Sequence, residues 1–306
     1  MIVITAPTGQ IGRQLVEIIV GSGEPVRLIT REPSRLPARI REQVDVVQGS
    51  HGDREVVSRA FAGADALFWL VPPDPTAQSL ESAYLGFSAP ACEAIERCGV
   101  RHVVGVSALG RGTALASRAG LVTASLAMDD MIANTGVSYR ALANPSFMDN
   151  LLRQVPSICG EGLFRLPLDG DRKHPTCATR DIAAAAAKLL LDRSWSGRAD
   201  VPVLGPEDLS CNDMAAILTE VLGWPVRFQQ VPLKAFEDGL GARGMSPAFA
   251  RGYAEMFAAK DSGLDDAEPR TPANSTPISF RHWCESVLKP AILGTRDQPA
   301  AARQER

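Results

Sequence analysis

The chain opens with the stretch that decides the fold: Met1-Ile2-Val3-Ile4-Thr5-Ala6-Pro7-Thr8-Gly9-Gln10-Ile11-Gly12-Arg13-Gln14-Leu15. Its first four residues are apolar and predict a buried strand, and Ile11 and Leu15 begin a helical repeat after a turn of small residues. The amino end of a helix offers unpaired N–H groups and partial positive charge to a pyrophosphate. Gly9 and Gly12 leave room for the close approach of ligand and strand. The opening therefore predicts the phosphate end of a dinucleotide site.

The glycine pattern departs from the usual one at two positions. Ala6 stands where the first glycine is expected, and Pro7 removes one backbone donor. The turn still follows a strand and opens a helix at the start of the chain, which is the context that a dinucleotide site needs. The loop residues that we predict to bind the cofactor are Thr8, Gly9, Gln10, Ile11 and Gly12.

Composition narrows the class of protein. The chain has 306 residues, of which 45% are hydrophobic, and a formal net charge of -3. An acidic balance argues against nucleic acid as the main partner. No apolar run reaches the length of a membrane span, and no basic region precedes the first strand. Six scattered cysteines without a C-x-x-C pair predict reduced thiols in a cytoplasmic protein, and four dispersed histidines predict no metal site.

Strands and helices alternate through the first half of the sequence. This alternation predicts an α/β fold, a Rossmann-type doubly wound parallel sheet over residues 1–150. Residues 151–290 are rich in breaks and are predicted to form a smaller α+β C-terminal lobe, which walls the substrate side and can return strands to the first domain. Residues 291–306 are polar and small and predict a flexible tail.

The end of the second predicted strand decides the type of cofactor. A carboxylate there would bind a ribose 2′-hydroxyl and favour NAD(H), whereas a cation would neutralise a 2′-phosphate and favour NADP(H). The chain has Thr30 and Arg31, with Arg35 nearby. Arg31 is either a phosphate ligand or a solvated loop charge, and we favour the phosphate role. NADP(H) is therefore the predicted cofactor, with NAD(H) as the alternative.

The ligand crevice of such a sheet lies at the carboxyl ends of its strands. The other residues predicted there to contact the cofactor are Gly49, Ser50, Val71, Pro72, Ser107, Asn144, Pro145 and Phe147. The predicted substrate pocket is lined by Trp69, Phe147 and Met148. The alternative for the segment around Pro145 is an ordinary buried loop that packs on the second lobe.

The usual acid–base pair of short-chain dehydrogenases is missing. In those enzymes a lysine four residues after a tyrosine stabilises the phenolate. Leu121 and Ser125 stand where that pair should lie. Ser107 is either a carbonyl-binding catalytic serine or a strand-end hydroxyl, and Ser125 is a second catalytic candidate whose simpler interpretation is a helix hydroxyl. Asp129 and Asp130, on the same predicted helix, are interpreted as a solvated face.

The order of these motifs resembles the NmrA-like, atypical short-chain dehydrogenase/reductase group. The similar stretches are residues 3–12, which resemble V-T-G-A-T-G-x-x-G, and residues 30–33, 46–49, 100–107, 136–150, 179–183 and 204–207. The resemblance implies an NADP-binding Rossmann-type domain with a small C-terminal lobe. It also implies kinship with reductases of quinones, triphenylmethane dyes or imines, and with redox-sensing regulators. Ala6, Ser50 and Asn144 depart from the usual glycine, aspartate and arginine of this group.

Two functions follow from the sequence. The first is an NADPH-dependent reductase that transfers hydride to a small conjugated or electrophilic substrate such as a quinone or an imine, because such a substrate needs little help from an acid. The second is a regulatory protein that senses NADP(H) without catalysis. An epimerase or dehydratase shares the fold but normally depends on the missing pair. The sequence leaves monomer and homodimer both open.

Overall fold

The computed structural model describes residues 1–296, and its strands alternate with helices through the first half. In chain order the strands are β1 (Ile2–Thr5), β2 (Val26–Thr30), β3 (Asp45–Gln48), β4 (Ala66–Trp69), β5 (His102–Ala108), β6 (Ser138–Asn144), β7 (Ser146–Phe147), β8 (Leu163–Leu166), β9 (His174–Cys177), β10 (Arg198–Pro202), β11 (Asp208–Leu209) and β12 (Arg227–Gln230). Seven of them form one sheet in the order β10-β6-β5-β4-β1-β2-β3. All neighbouring pairs in this sheet are parallel, as the alternating sequence predicts.

Helices cover both faces of this sheet. The α-helices are α1 (Gln10–Gly21), α2 (Ala38–Arg41), α3 (Arg54–Phe61), α4 (Phe87–Cys98), α5 (Leu121–Ala133), α6 (Val155–Glu161), α7 (Thr179–Leu191), α8 (Cys211–Leu222), α9 (Leu233–Ala242), α10 (Pro247–Asp261), α11 (Phe280–Trp283) and α12 (Lys289–Arg296). A π-helical turn, Ser82–Gly86, leads into α4, and a 3₁₀ segment, Met148–Gln154, leads into α6. None of the helices within residues 1–296 has the length and apolarity that crossing a membrane requires.

Alternate strand residues point to opposite faces of the sheet. Ile4 and Val104 belong to the apolar cluster that packs under α1 and α7. Val3 and Val103 belong to the cluster on the other face, under α3, α4 and α5. Burial of both faces explains why the strands are nearly continuous apolar runs rather than alternating ones.

The smaller lobe is only partly separate from the sheet. Its core gathers α6, α8, α11 and α12. Its short strands form two small sheets, β8 beside β12 and β9 between β7 and β11, because pairing partners far along the chain outweigh local breakers. Residues 179–202 leave this lobe: α7 packs on the face of α1, and β10 becomes the seventh strand of the main sheet beside β6.

The predicted tail differs from the structure at its start. Residues 291–296 continue α12, whose Ile292 is fully buried in the lobe core. The remaining tail residues, 297–306, lie outside the described part of the chain.

The α9–α10 hairpin lies over the amino end of α5. Gly120, at the amino end of α5, and Gly252, in α10, let these two helices approach closely. A Cβ atom at Gly120 would stand only 2.1 Å from the carbonyl oxygen of Gly252. Leu121 and Phe249 are buried in the small apolar cluster at this contact. The C-terminal part of the chain therefore walls one side of the carboxyl edge of the sheet.

Candidate functional site

The carboxyl edge of the sheet has a point where the strand order reverses, between β1 and β4. Thr5 ties these two strand ends together. Its hydroxyl donates to the carbonyl of Phe68 at 3.0 Å and accepts from the N–H of Leu70 at 3.0 Å. In open α/β sheets a ligand crevice forms at such a point. A ligand site is therefore expected at the loop that follows Thr5.

This loop makes a tight turn before α1. Ala6 has φ +48°, the left-handed conformation that glycine adopts at little cost, and it is the only non-glycine residue of the described chain with positive φ. The backbone keeps the shape of a glycine turn although the side chain is a methyl group. The N–H of Gly9 donates to the Ala6 carbonyl at 3.1 Å and closes the turn.

Gly12 is required by the packing of this turn. A Cβ atom there would lie 2.1 Å from the Ala6 carbonyl oxygen and 3.0 Å from the Cα of Pro7. Backbone atoms cannot move aside as a flexible side chain does, so only glycine lets α1 come this close to the loop. The glycine that the sequence selected for close helix–strand packing therefore has that role.

The amino end of α1 is open to a ligand. Gly9 is its N-cap and is exposed, and no side chain caps the first turn. By contrast, Asp53 caps α3 and Ser210 caps α8 through side-chain oxygens. Free N–H groups with the positive end of the helix dipole fit a diphosphate. The cradle shaped by Ala6 and Gly12 could hold the phosphates of a dinucleotide with this backbone.

Two arginines follow the carboxyl end of β2. Arg31 and Arg35 are both exposed. Nearby arginines are already paired, Arg27 with Asp45 and Arg39 with Glu17. Neither Arg31 nor Arg35 forms an ion pair with any residue in 1–296, so both guanidinium groups are available to an anion at this edge.

The ends of β3 and β4 meet under a buried histidine. His51 donates from Nε2 to the Leu70 carbonyl at 2.9 Å, and burial lowers its pKa to about 4, so the ring is neutral. Gly49, at φ +144°, and half-buried Ser50 form the turn before it, and the Ser50 hydroxyl accepts from the N–H of Gly52 at 3.2 Å. In the loop after β4, Val71 is half-buried and Pro72 is exposed.

The ends of β5 and β6 are joined by one side chain. The Asn144 amide donates to the carbonyls of Ser107 at 3.0 Å and Leu142 at 2.6 Å. Asn144 is 2% exposed, and its Oδ1 is buried without a partner in the described chain. An orphaned acceptor at the ligand edge fits a hydrogen-bond donor from a bound molecule. Pro145 is buried beside it and Phe147 is half-buried.

Two of the three residues predicted to line a substrate pocket do not do so. Trp69 is fully buried between the sheet and its covering helices, where its indole N–H donates to the Ser88 hydroxyl at 3.2 Å. Met148 is also buried, within the core of the smaller lobe. Both residues lie near strand ends, but their side chains pack into hydrophobic cores and do not face a pocket. Only Phe147 keeps partial exposure among the three.

A buried polar group lies under the end of β5. We call Ser107, Asp129 and Tyr139, with Arg111 at their edge, the Asp129 cluster. The Ser107 hydroxyl donates a hydrogen bond to one Asp129 oxygen, and the Tyr139 hydroxyl donates to the other at 2.5 Å. Arg111 Nη2 lies 3.3 Å from the oxygen that Ser107 uses. Gly105 makes this possible, since a Cβ there would meet the Tyr139 hydroxyl at 2.1 Å.

The electrostatics of the Asp129 cluster follow from its burial. Asp129 is 0% exposed, and the loss of hydration raises its pKa to about 6 despite the opposing hydrogen bonds from Ser107 and Tyr139. Burial, and then the charge of Asp129, raise the pKa of Tyr139 well above its ordinary value. The phenol therefore stays protonated, whereas the carboxyl can exchange its proton near neutral pH.

The sequence interpretation of Asp129 as part of a solvated face was wrong. Only Asp130 faces outward, where it pairs with Arg111 at 2.8 Å and with Arg198. The signal was present, because Asp129 stands next to Met128 and three residues before Ile132, and both of these apolar residues pack on the sheet. Ser125 is 8% exposed, and its hydroxyl has no hydrogen-bonding partner within residues 1–296, so its predicted catalytic role stays a prediction.

Comparison with known proteins places the chain in a family. The model of the NmrA-like family matches residues 1–278. The chain belongs to the NmrA-like family. Two curated relatives of this NmrA-like protein carry enzyme names. It is 33% identical to (4-alkanoyl-5-oxo-2,5-dihydrofuran-3-yl)methyl phosphate reductase of Streptomyces griseus over 92% of this chain and 96% of the relative. It is 26% identical to quinone oxidoreductase 2 of Escherichia coli over 86% of this chain and 87% of the relative.

Solved structures share the same architecture. A structure described as a nucleoside-diphosphate-sugar epimerase from Staphylococcus aureus has a TM-score of 0.79 at 19% identity, covering 93% of this chain and 99% of that one. An NADPH-dependent quinone oxidoreductase from Escherichia coli, complexed with NADPH, has a TM-score of 0.72 at 22% identity, covering 97% and 100%. At these identities the likeness establishes the Rossmann-like fold of this NmrA-like protein.

Proposed function

We propose that this protein is an NADPH-dependent reductase that transfers hydride to a small conjugated, electrophilic substrate such as a quinone. The observation that carries the proposal is the uncapped amino end of α1 behind a glycine-shaped turn, at the reversal point of a parallel sheet. This combination suits the diphosphate of a dinucleotide. The names of the relatives, a reductase and a quinone oxidoreductase, favour reduction over other dinucleotide chemistry.

The proposed cofactor is NADP(H) rather than NAD(H). Arg31 and Arg35 follow β2 without carboxylate partners, and a 2′-phosphate placed there would gain charge-assisted hydrogen bonds from guanidinium groups. Thr30 and Arg31 stand at the end of β2, and neither provides the carboxylate that would accept a hydrogen bond from a ribose 2′-hydroxyl. A neighbouring solved structure is complexed with NADPH, which supports the same choice.

Each strand end has a proposed part in binding. The turn of Ala6, Gly9 and Gly12 holds the diphosphate against α1. When bound, NADPH supplies the hydride. The orphaned Oδ1 of Asn144 accepts a hydrogen bond from the cofactor or substrate, and Phe147 offers an apolar surface beside it. Ser107, at the end of β5, contacts the substrate oxygen. Much of the acceleration then comes from positioning, since a quinone is already a strong electrophile.

The experiment is a binding titration followed by a substrate panel. NADPH and NADH are titrated against the protein by fluorescence, and NADPH oxidation is then followed with quinones, imines, azo compounds and unsaturated lactones. We expect tighter binding of NADPH than of NADH, and turnover with at least one class. Tight binding without turnover across the panel would contradict the reductase and favour the NADP(H) sensor. Failure to bind either cofactor would contradict both functions.

A further inference from the structure

The Asp129 cluster is more elaborate than packing requires. Burying a carboxyl group costs free energy unless every oxygen finds donors, and an apolar residue would fill the same space without that cost. Here β5, α5 and β6 each contribute one member, Ser107, Asp129 and Tyr139, and a glycine at position 105 clears the space between them. One end of the group, Ser107, lies at the ligand edge of the sheet. The other end is sealed inside the protein.

The proposed reduction lacks a proton donor among the usual residues. Transfer of hydride to one carbonyl oxygen of a quinone leaves negative charge on the other oxygen, which needs one proton to become the second hydroxyl group of the hydroquinone. Leu121 and Ser125 stand where a tyrosine–lysine pair would provide it. The hydroxyl of Ser107, at the ligand edge, is joined by a hydrogen bond to the buried carboxyl of Asp129, which can carry an exchangeable proton.

We propose that Asp129 stores this proton and delivers it through Ser107 to the reduced substrate oxygen. As the oxygen gains negative charge, the Ser107 O–H bond breaks and its proton forms the new O–H bond of the product. The Asp129 O–H bond breaks in the same movement, and its proton restores the Ser107 hydroxyl. Asp129 is left as a carboxylate. Two electrons and one hydrogen reach the substrate as hydride, and one proton reaches it from the protein, so the quinone becomes a hydroquinone.

The surroundings of Asp129 suit both of its states. Protonated, it can donate to the Ser107 oxygen across the hydrogen bond that the two share. Ionised, it accepts from Tyr139 at 2.5 Å and lies 3.3 Å from the Arg111 guanidinium. Tyr139 stays a donor in both states because its own pKa is raised well above the ordinary value. Asp129 thus acts through Ser107 as a positioning residue, and Ser107 alone touches the substrate.

Other charged groups around the cluster influence the pH at which Asp129 ionises. Arg111 also contacts Asp130 at 2.8 Å and Asp200 at 3.0 Å, so its charge is shared among three carboxylates. Arg198 pairs with Asp130 on the outer side. A lone arginine facing Asp129 would hold the carboxyl ionised. Sharing weakens that effect and leaves burial as the dominant influence, which keeps the proton available near neutral pH.

The first test needs no substrate. Infrared difference spectra of the protein, recorded from pH 4 to 8, should contain the C=O stretch of a protonated carboxyl that titrates near pH 6. The band should vanish in Asp129→Asn and persist in Asp192→Asn, which removes an exposed carboxyl whose pKa is lowered by hydrogen bonds from Ser194. A band that survives Asp129→Asn, or no band at all in the wild type, would overturn the proposal.

The second test rests on the proposed function and separates the two claims. Single-turnover quinone reduction is measured across pH with saturating NADPH, in H₂O and D₂O, and NADPH affinity is titrated in parallel. Asp129→Asn and Ser107→Ala should each slow the step about 10²-fold or more at saturating NADPH and remove its dependence on a group titrating near pH 6, with NADPH affinity retained in Asp129→Asn. Ser107→Ala serves as the independent variant if Asp129→Asn fails to fold, and it should keep the infrared band.

The outcomes are distinguishable. If the wild type reduces quinone and both variants keep its pH profile and solvent isotope effect, the relay is wrong and the reductase stands. If the wild type does not bind NADPH, the proposed function fails and the relay fails with it. Loss of the pH-dependent rate with a retained infrared band in Ser107→Ala is the result that supports the relay.

Discussion

Replacement of Asp129 by asparagine should change how the stability of the protein depends on pH. The carboxyl is 0% exposed and its pKa rises from 3.8 to about 6 on folding, chiefly through burial. The asparagine amide can donate to the Ser107 oxygen and accept from the Tyr139 hydroxyl. The variant therefore keeps the hydrogen bonds and removes only the titration.

The magnitude follows from the pKa change. One pKa unit corresponds to ~1.4 kcal/mol, so a rise of this size makes the ionised folded state about 3 kcal/mol less stable relative to the protonated one. Below pH 3.8 the carboxyl is protonated in both folded and unfolded chains, and it has no effect on the balance. Between pH 3.8 and 6 the unfolded chain releases the proton first, so wild-type stability falls as the pH rises. Above about pH 7 the loss is complete.

Urea unfolding at intervals from pH 4 to 8 measures this difference. The free energy of unfolding of Asp129→Asn, minus that of the wild type, should grow by about 3 kcal/mol over the range, most of it below pH 6.5. Every other group titrates alike in the two proteins and cancels in the difference. Asp192→Asn is the control, because its exposed carboxyl has a lowered pKa and predicts no such growth. Parallel curves for wild type and Asp129→Asn would refute the argument that burial controls this carboxyl.

Three further substitutions test the ligand edge. Arg31→Ala should weaken NADPH binding by about 1–3 kcal/mol and spare NADH, whereas Arg41→Ala, an exposed arginine before the amino end of β3, should spare both; equal loss for both cofactors in Arg31→Ala would exclude the phosphate role. Gly12→Ala should abolish binding of both cofactors in calorimetric titrations and lower stability by about 1–3 kcal/mol, since its Cβ would lie 2.1 Å from the Ala6 carbonyl oxygen; unchanged affinity would show that cofactor binding does not depend on the close packing of α1 on this loop. Ala6→Gly should relieve the left-handed conformation at φ +48° and raise the midpoint of thermal unfolding, or leave it level where the added freedom of the unfolded chain offsets the gain; a clear fall in that midpoint would contradict the strain.

The fold and the position of the tight turn before α1 could be predicted because both depend on local patterns. Apolar runs that alternate with helical repeats fix a parallel sheet, and such a sheet brings its carboxyl ends to one edge whatever the details. The shape of the turn at Ala6 also followed from position alone: the backbone adopts the glycine conformation although the residue is alanine. The turn therefore keeps its backbone conformation even though alanine replaces the usual first glycine.

The pocket and the buried acid could not be predicted in the same way. Trp69 and Met148 lie where a pocket was expected, but the direction of a side chain at a strand end depends on which layer packs against it. Asp129 was misjudged for the opposite reason, because charge suggested exposure and helical spacing was not weighed against it. Its partner Tyr139 comes from the next strand, and Gly105 has meaning only when the two strands lie side by side.

The return of residues 179–202 to the main sheet has a consequence for any attempt to divide the protein. A fragment that stops at residue 150 would keep six of the seven strands, yet the outer side of β6 would lose its neighbour β10, and the apolar side of α1 would lose the cover of α7. An unpaired strand edge beside an exposed apolar surface promotes aggregation of such fragments. The half of the chain that ends at residue 150 is thus not a self-sufficient module, because α7 and β10 from the second half complete its sheet and its helix packing.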